Sequence, residues 1–337
     1  MSQPQSIDPR YVSRPPVRPK KRRGWFARIL GLVVLLFVLM LVCVPLFAWS
    51  KINKVDAMPA GERPAATAGT TYLLVGSDSR EGLSRAERAK LHTGKAVGQR
   101  TDTIMMLHVP ESGPTVLVSL PRDSYVPIPG HGRNKLNAAF ALGGPQLLIT
   151  TIEGVTGLRV DNYVEIGFGG FASIIDSLGG VEMCLPKAMK DEKAHIDLPK
   201  GCQELDGTNA LGYVRARYSD PLGDLGRVQR QREMIGAVAG KAISPATFIN
   251  PVRYYKLGTA SAEALTVDND SGVFDLFKFA RAMKAVAGGG DGITLTVPIS
   301  DSSYSTRHGD AVKWDTAKAK ALFQALKDDK TTGLKSS

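Results

Sequence analysis

The run ILGLVVLLFVLMLVCVPLFAW carries the chain from Ile29 to Trp49 without one charged side chain. As a helix rising about 1.5 Å per residue, it reaches roughly the 30 Å of a bilayer's hydrocarbon core. Trp25 and Trp49 stand at its two edges, where interfacial aromatics belong. A cleaved signal peptide fits less well, because the apolar run is too long and no A-x-A site follows. The preceding RPKKRRGWFAR is strongly basic and directs the tail to the cytoplasm and everything after Ser50 to the outside. The expected organisation is a disordered basic tail over 1–28, a transmembrane helix over 29–49, a linker or short helix over 50–69, and an extracytoplasmic domain over 70–330.

Charge supports that division. The chain's formal charge is +11, and residues 1–28 hold eight Lys and Arg against the single acid Asp8, so about +4 is left for the rest. The basic character belongs to the tail, and the folded part is expected to have no nucleic-acid partner. With 43% hydrophobic and 22% charged residues, the remainder is ordinary globular material.

Cysteine usage agrees with export. Cys43 lies in the apolar run and is expected to be inert. Cys184 and Cys202 bracket a polar loop, LPKAMKDEKAHIDLPKG, in a compartment that permits oxidation. A disulfide there would restrain the loop by roughly 3 kcal/mol in the chain-entropy account; two free thiols are the alternative. Neither cysteine has a histidine at zinc spacing.

Beyond residue 70, strand and helix patterns alternate. TYLLVGSD, TDTIMMLHVP and TVLVSLPRD read as buried strands, the last two joined by the turn ESG into a hairpin. NAAFALGGPQLLITTIEGVTG and FGGFASIIDSLGG read as helices ending at glycine, with the strand VDNYVEIGF between them. RQREMIGAVAGKAI, SGVFDLFKFARAMKAVAGGG and DTAKAKALFQALKDD are further helices, and GITLTVPI a strand. The pattern predicts an α/β protein, a three-layer α-β-α domain with a mixed central sheet preceded by one transmembrane helix. Two helix-rich halves are the alternative.

No P-loop, H-E-x-x-H, G-x-S-x-G or dinucleotide glycine fingerprint is present. Charged residues gather at strand ends instead: Asp78 and Arg80 after the first strand, Arg100 and Asp102 at the start of the second, Arg122 and Asp123 after the third. Each alone is an ordinary turn acid or surface ion pair, but in an open sheet such ends converge on one crevice. RARYSDPLGDLGRVQRQRE, residues 215–233, adds five arginines in a segment whose Asp-Pro and glycines interrupt a regular helix.

LLVGSDSR, RTDT, VSLPRDSYVPIPG, KLNAAFALGG, GGVEMCLP and LDGTNALGYVRARYSDPLGDLGRVQRQ resemble the motifs of the LytR–CpsA–Psr family, in family order from about Tyr72 to Ala237. The resemblance implies a phosphotransferase that moves a glycan polymer from a polyprenyl diphosphate carrier onto a peptidoglycan hydroxyl through a phosphodiester. It implies Mg²⁺ on Asp78 and Asp102. It also implies a diphosphate surrounded by Arg100, Arg122, Lys135, Arg215, Arg217, Arg227 and Gln231, with the arginines as catalytic groups. Asp224 is either a general base for the acceptor hydroxyl or a positioner of Arg227, and Lys135 either a ligand or a solvated lysine. Arg230 and Arg232 fall outside the family roles and are expected as outward-facing partners of acids. Leu147, Leu148, Ile152, Phe168, Phe171, Ile174, Ile175 and Leu178 are core by default, although the family implies an apolar tunnel for the isoprenoid.

The chemistry suits those residue types. Guanidinium forks bind phosphate oxygens in pairs at any relevant pH. Mg²⁺ takes a few carboxylates together with phosphate and water. Two rivals use the same residues: a polyprenyl diphosphate phosphatase and a non-catalytic wall-polymer binding protein. Transcriptional regulation is disfavoured by a topology that leaves only the tail inside the cell.

Overall fold

The computed structural model describes residues 23–78, 83–93, 101–216, 223–286 and 291–336, with the side chains of residues 23, 24 and 223–225 left aside. By contacts the chain divides into two units, Met1–Cys43 and Val44–Ser337.

The first unit holds most of helix α1 (Arg23–Trp49), which carries the apolar run as one helix long and apolar enough to cross a membrane. The second unit begins with the last turns of α1 and then β1 (Asn53–Val55), β2 (Thr70–Ser77), α2 (Arg85–Lys90), β3 (Thr101–Val109) and β4 (Val116–Ser119). Next come the hairpin β5 (Tyr125–Ile128) and β6 (Gly132–Lys135), α3 (Leu136–Thr156), β7 (Asn162–Gly167) and α4 (Phe168–Ser177). β8 (Val181–Leu185), β9 (Met189–Asp191), β10 (Ile196–Leu198) and β11 (Gly201–Leu205) follow, then α5 (Gly207–Arg215) and α6 (Gly223–Ala242). The chain ends with α7 (Pro245–Ile249), α8 (Pro251–Ala264), β12 (Leu265–Asp268), α9 (Val273–Lys284), β13 (Ile293–Thr296), β14 (Ile299–Thr306), β15 (Gly309–Trp314) and α10 (Thr316–Lys327).

Seven strands form the central sheet in the order β1-β12-β7-β2-β3-β4-β13. It is mixed: β2 runs parallel to β7 but antiparallel to β3, and β13 is parallel to β4. Strand alternation assigns each side chain to a layer. Leu73, Val75, Ile104, Met106, Val116 and Val118 face α3 and α10 in one core. Their neighbours Tyr72, Met105, Leu107 and Leu117 face α9 and α6 in another. This is the expected three-layer α-β-α domain. A third core joins α4, α5 and α6 to β8–β11.

α3 is itself apolar enough to pass for a membrane span, yet Leu136, Phe140, Leu148, Ile149 and Ile152 are buried against the sheet, so it is a core helix. It kinks at Gly143 and Gly144, the latter at φ 64°, a region open to glycine, and Pro145 restarts the helix.

Two expectations change here. Within the 50–69 stretch, expected as a linker, Asn53–Val55 add an edge strand to the sheet, pairing in parallel with β12. The bracketed loop between the cysteines is also more than a polar excursion. β9 and β10 form a hairpin whose Met189, Ile196 and Leu198 alternate into the third core. Cys184 and Cys202 are cross-strand partners of β8 and β11 and form the disulfide.

Candidate functional site

The site is built where β2, β3 and β4 end. Ser77 closes β2 and pairs in register with Thr101, which opens β3, after an irregularity at Gly76. Because the two strands are antiparallel, Asp78 and Asp102 flank that pair, Asp78 just past the end of β2 and Asp102 one residue inside β3. Both hydroxyls, Ser77 Oγ and Thr101 Oγ1, are buried without a hydrogen-bond partner. With Asp78 and Asp102 next to them in sequence, these strand ends offer only oxygen donors, the type Mg²⁺ prefers. Among the described residues no cluster of three or more His, Cys, Asp or Glu could hold a metal, so a cation here would draw further ligands from substrate or water.

From the end of β4, Arg122 donates through Nη1 to Asp102 Oδ1 and through Nε to Asp123 Oδ2 at 3.3 Å. Lys135, last residue of β6 and N-cap of α3, sets its Nζ 3.3 Å from Asp123 Oδ1. The N–H of Asn137 donates to Arg122 O at 2.9 Å, which fixes this corner to the start of α3. Lys135, Asp123, Arg122 and Asp102 therefore form one chain of alternating charge. Asp102 is ion-paired to Arg122, and Arg100 lies outside the described residues. A carboxylate offers about four lone-pair sites, so this pairing leaves Asp102 capacity for another cation.

α5 and α6 supply the other cations. α5 starts at Asp206, which accepts from Asn209 N at 2.8 Å, while Gly207 N donates to Asp176 Oδ1 at 2.7 Å. α5 packs so tightly that a Cβ on Gly212 would lie 2.8 Å from Ala194 O. That approach fixes Arg215 at the last turn, with its guanidinium carbon 5.0 Å from the Phe168 ring centroid. On α6, Arg227 is only 2% exposed, and Gln231 Nε2 approaches Val214 O at 3.5 Å. Arg230, expected to face outward, is 5% exposed; it donates to Ala216 O at 2.5 Å and lies over Tyr213. It ties α6 to the end of α5. Arg232 is half-buried, and burial lowers its pKa.

The helix break expected in this segment is narrower than the sequence implied. α6 begins at Gly223 and incorporates Gly226, so Arg227, Arg230 and Gln231 are helical. Arg217 lies outside the described residues, as do Arg80 and Arg100. Asp224 falls in the first turn of α6, and its side chain is among those left aside.

These elements enclose a cavity of about 760 Å³. Its lining includes the polar residues Ser77, Asp102, Arg215, Arg227 and Gln231. Most of the lining is apolar, with Leu74, Val164 and Ile166 from the sheet and Ile235 and Ala239 from α6. Arg122 connects to the cavity through Asp102, and Asp78 follows the lining residue Ser77. The apolar residues expected as core now separate. Phe168, Phe171 and Ile174 line the cavity, whereas Leu148, Ile152, Ile175 and Leu178 are packed interior and Leu147 lies at its edge.

The sequence pattern missed two contributions. Asp191 and Lys193, from the hairpin between the cysteines, line the cavity, and so do Val44, Pro45, Ala48 and Trp49 from the end of α1. Apolar alternation at Met189, Ile196 and Leu198 was the available signal for the first. The second had none, since the run to Trp49 is uniformly apolar.

An α/β domain whose apolar-walled cavity is also lined by guanidinium groups and a carboxylate defines a class: a ligand-binding domain with a mixed apolar and charged site. The chain belongs to the LytR_cpsA_psr family, whose pattern matches residues 49–327. It is 48% identical over 309 residues to the probable cell wall biosynthesis protein LcpB of Corynebacterium glutamicum, covering 91% of this chain and 72% of that one. It is 36% identical over 177 residues to the polyisoprenyl-teichoic acid–peptidoglycan teichoic acid transferase TagU of Enterococcus faecalis, covering 52% of this chain and 57% of that protein. Its fold is similar to a LytR-Csp2A-Psr enzyme from Actinomyces oris, with a TM-score of 0.64 and 25% identity, over 82% of this chain and 96% of that one.

Proposed function

We propose that the chain is a membrane-anchored, extracytoplasmic phosphotransferase. It moves a glycan phosphate from a polyprenyl diphosphate carrier to a peptidoglycan hydroxyl. The observation that carries this reading is the cavity: a largely apolar volume suited to an isoprenoid, whose lining also holds Arg215, Arg227, Gln231 and Asp102.

The acceptor hydroxyl attacks the phosphorus attached to the glycan, and the bond to the bridging oxygen breaks. Polyprenyl phosphate leaves, and the hydroxyl proton passes to a base, for which Asp224 is the candidate. Arg215 and Arg227 bind phosphate oxygens by paired N–H donors and neutralise charge that grows on the leaving phosphate. Arg227, buried on a helix, needs little reorganisation to do so. Gln231 adds a neutral donor, and Phe168 limits the swing of Arg215. Arg122, held by Asp102 and Asp123, places a further positive charge next to the cavity-lining Asp102. Asp78 and Asp102 would hold Mg²⁺, which when bound supplies positive charge to the phosphoryl oxygens.

The test uses the purified full chain in lipid, a fluorescent lipid-linked glycan and peptidoglycan. Joint appearance of glycan-bearing peptidoglycan and polyprenyl phosphate, lost with chelator and restored by Mg²⁺, is the expected result. Free phosphorylated glycan as sole product would make the protein a phosphatase, and retention without turnover a binding protein.

A further inference from the structure

We propose that the mouth of the cavity is a membrane-docking face, on which the ends of α7, α8 and α9 dip into the outer leaflet of the bilayer. The inference rests on the membrane-anchor reading of α1 and not on the transfer reaction.

Large apolar side chains are exposed at this place. Phe274 is 82% exposed and Phe277, one turn along α9, is 68% exposed. Ile249, closing α7, is 71% exposed, and Val252 and Tyr255 stand outward one turn apart on α8. Phe248 and Phe277 line the cavity while remaining accessible outside, so these residues form its rim. Exposed aromatics grouped round an apolar opening mark an interaction site rather than ordinary surface.

The occupant follows from what this rim is joined to. The last turns of α1 belong to the same unit. Val44, Ala48 and Trp49 line the same cavity, and Phe47 stacks on Tyr255 of α8 with ring centroids 6.4 Å apart. The attachment continues beyond the helix. Lys51 Nζ binds Glu263 at 2.8 Å, Lys54 Nζ donates to Asn269 O at 2.8 Å, and β1 is hydrogen-bonded into the sheet beside β12. The end of the apolar helix is thus fixed to α8, which bears part of the rim. A helix that leaves a bilayer at Trp49 holds that rim at the bilayer surface.

Charge fits the same occupant. Lys256 on α8 and Lys278, Arg281 and Lys284 on α9 are exposed beside the apolar positions, whereas Glu263 is taken by Lys51 and Asp275 caps α9 by accepting from Gly272 N. Aromatic side chains interleaved with cations suit the boundary between acyl chains and anionic headgroups. With the cavity opening inside that boundary, an isoprenoid would pass between bilayer and protein without crossing water.

The experiment uses the full chain with Cys43→Ala, reconstituted in phosphatidylglycerol–phosphatidylcholine vesicles containing a shallow doxyl-labelled lipid. A bimane label is attached in turn to Phe274→Cys, to Val252→Cys, and to Lys320→Cys on α10, the helix against the opposite face of the sheet. The expected result is lipid quenching several-fold stronger at 274 and 252 than at 320, and loss of the excess at 252 when Phe274→Ser and Phe277→Ser are combined. Equal quenching at all three positions overturns the proposal. So does shielding of 274 from both the lipid quencher and aqueous iodide, which would mean that a protein covers the face. Neither readout depends on turnover, so a failed transfer assay leaves the result standing.

Discussion

Arg227 separates a catalytic from a structural account of the site. It is 2% exposed, on α6, and lines the cavity with Gln231 and Arg215. Arg227→Met keeps most of the unbranched stem and removes the charge. If the guanidinium serves the phosphate in the transition state, its loss costs about 3–4 kcal/mol, a fall of roughly 10²–10³ in kcat. If instead it mainly balances a buried carboxylate, the substitution leaves that charge uncompensated and costs about 3–5 kcal/mol of stability. At about 2 °C per kcal/mol for a domain of this size, Tm would drop by roughly 6–10 °C. The expected outcome is the first: transfer reduced by about 10²–10³ with Tm moved by less than about 2 °C. Arg227→Lys restores charge without the fork and is expected between Met and wild type. Lipid-linked glycan transfer and a thermal melt on the same preparations decide the matter. Near-normal transfer, or activity and Tm falling together, would refute the assignment.

Removing the disulfide by Cys184→Ser with Cys202→Ser is expected to cost about 3 kcal/mol for a sequence separation of 18, seen as a lower urea midpoint. His108 is buried between Thr71 Oγ1 and Asp329 Oδ1, and burial lowers its pKa below the usual 6.5. The unfolded chain therefore binds this proton first, so the contribution to stability is whole above about pH 6.5 and lost as pH falls toward the folded value; His108→Gln is expected to flatten Tm against pH in that window. Ala239→Trp, which fills the cavity from α6, is expected to raise Tm of the lipid-free protein and abolish the Tm increase given by polyprenyl phosphate, while inorganic pyrophosphate still protects. A Tm increase by polyprenyl phosphate in that variant would place the tail elsewhere.

Much of this was legible in the chain. The apolar runs in TYLLVGSD and TDTIMMLHVP marked two buried strands within a residue of their ends, because both faces of the sheet are covered and both sets of side chains are apolar. Asp102 and Arg122 were legible as neighbours because strand ends are short-range features and adjacent strands bring them together. Arg230 was not. On a helix its direction depends on which face α5 covers, and that depends on Gly212 letting α5 approach closely, a contact between segments distant in sequence. Nor could spacing divide Ile174, at the cavity, from Ile175, in the core; both are apolar and one residue apart. β1 was hidden because its three residues, Asn53–Val55, carry no strand pattern; pairing with β12 makes them a strand.

The cavity also bears on why the site is coupled to the membrane end of the chain. The cavity of about 760 Å³ opens at the rim formed by α7, α8 and α9, so water can enter it, and its apolar walls favour an apolar chain over that water. Leu74 and Val164 face the cavity where Leu73 and Tyr163, their neighbours in the same strands, pack against the opposite layer. One face of the sheet is thus given to stability and part of the other to an occupant. On the proposed function the occupant is an isoprenoid, scarce in water and concentrated in a bilayer, and with α1 as the anchor the wall built from Val44, Ala48 and Trp49 would stand where it is available. On this account the end of α1 belongs to the binding site as much as to the anchor.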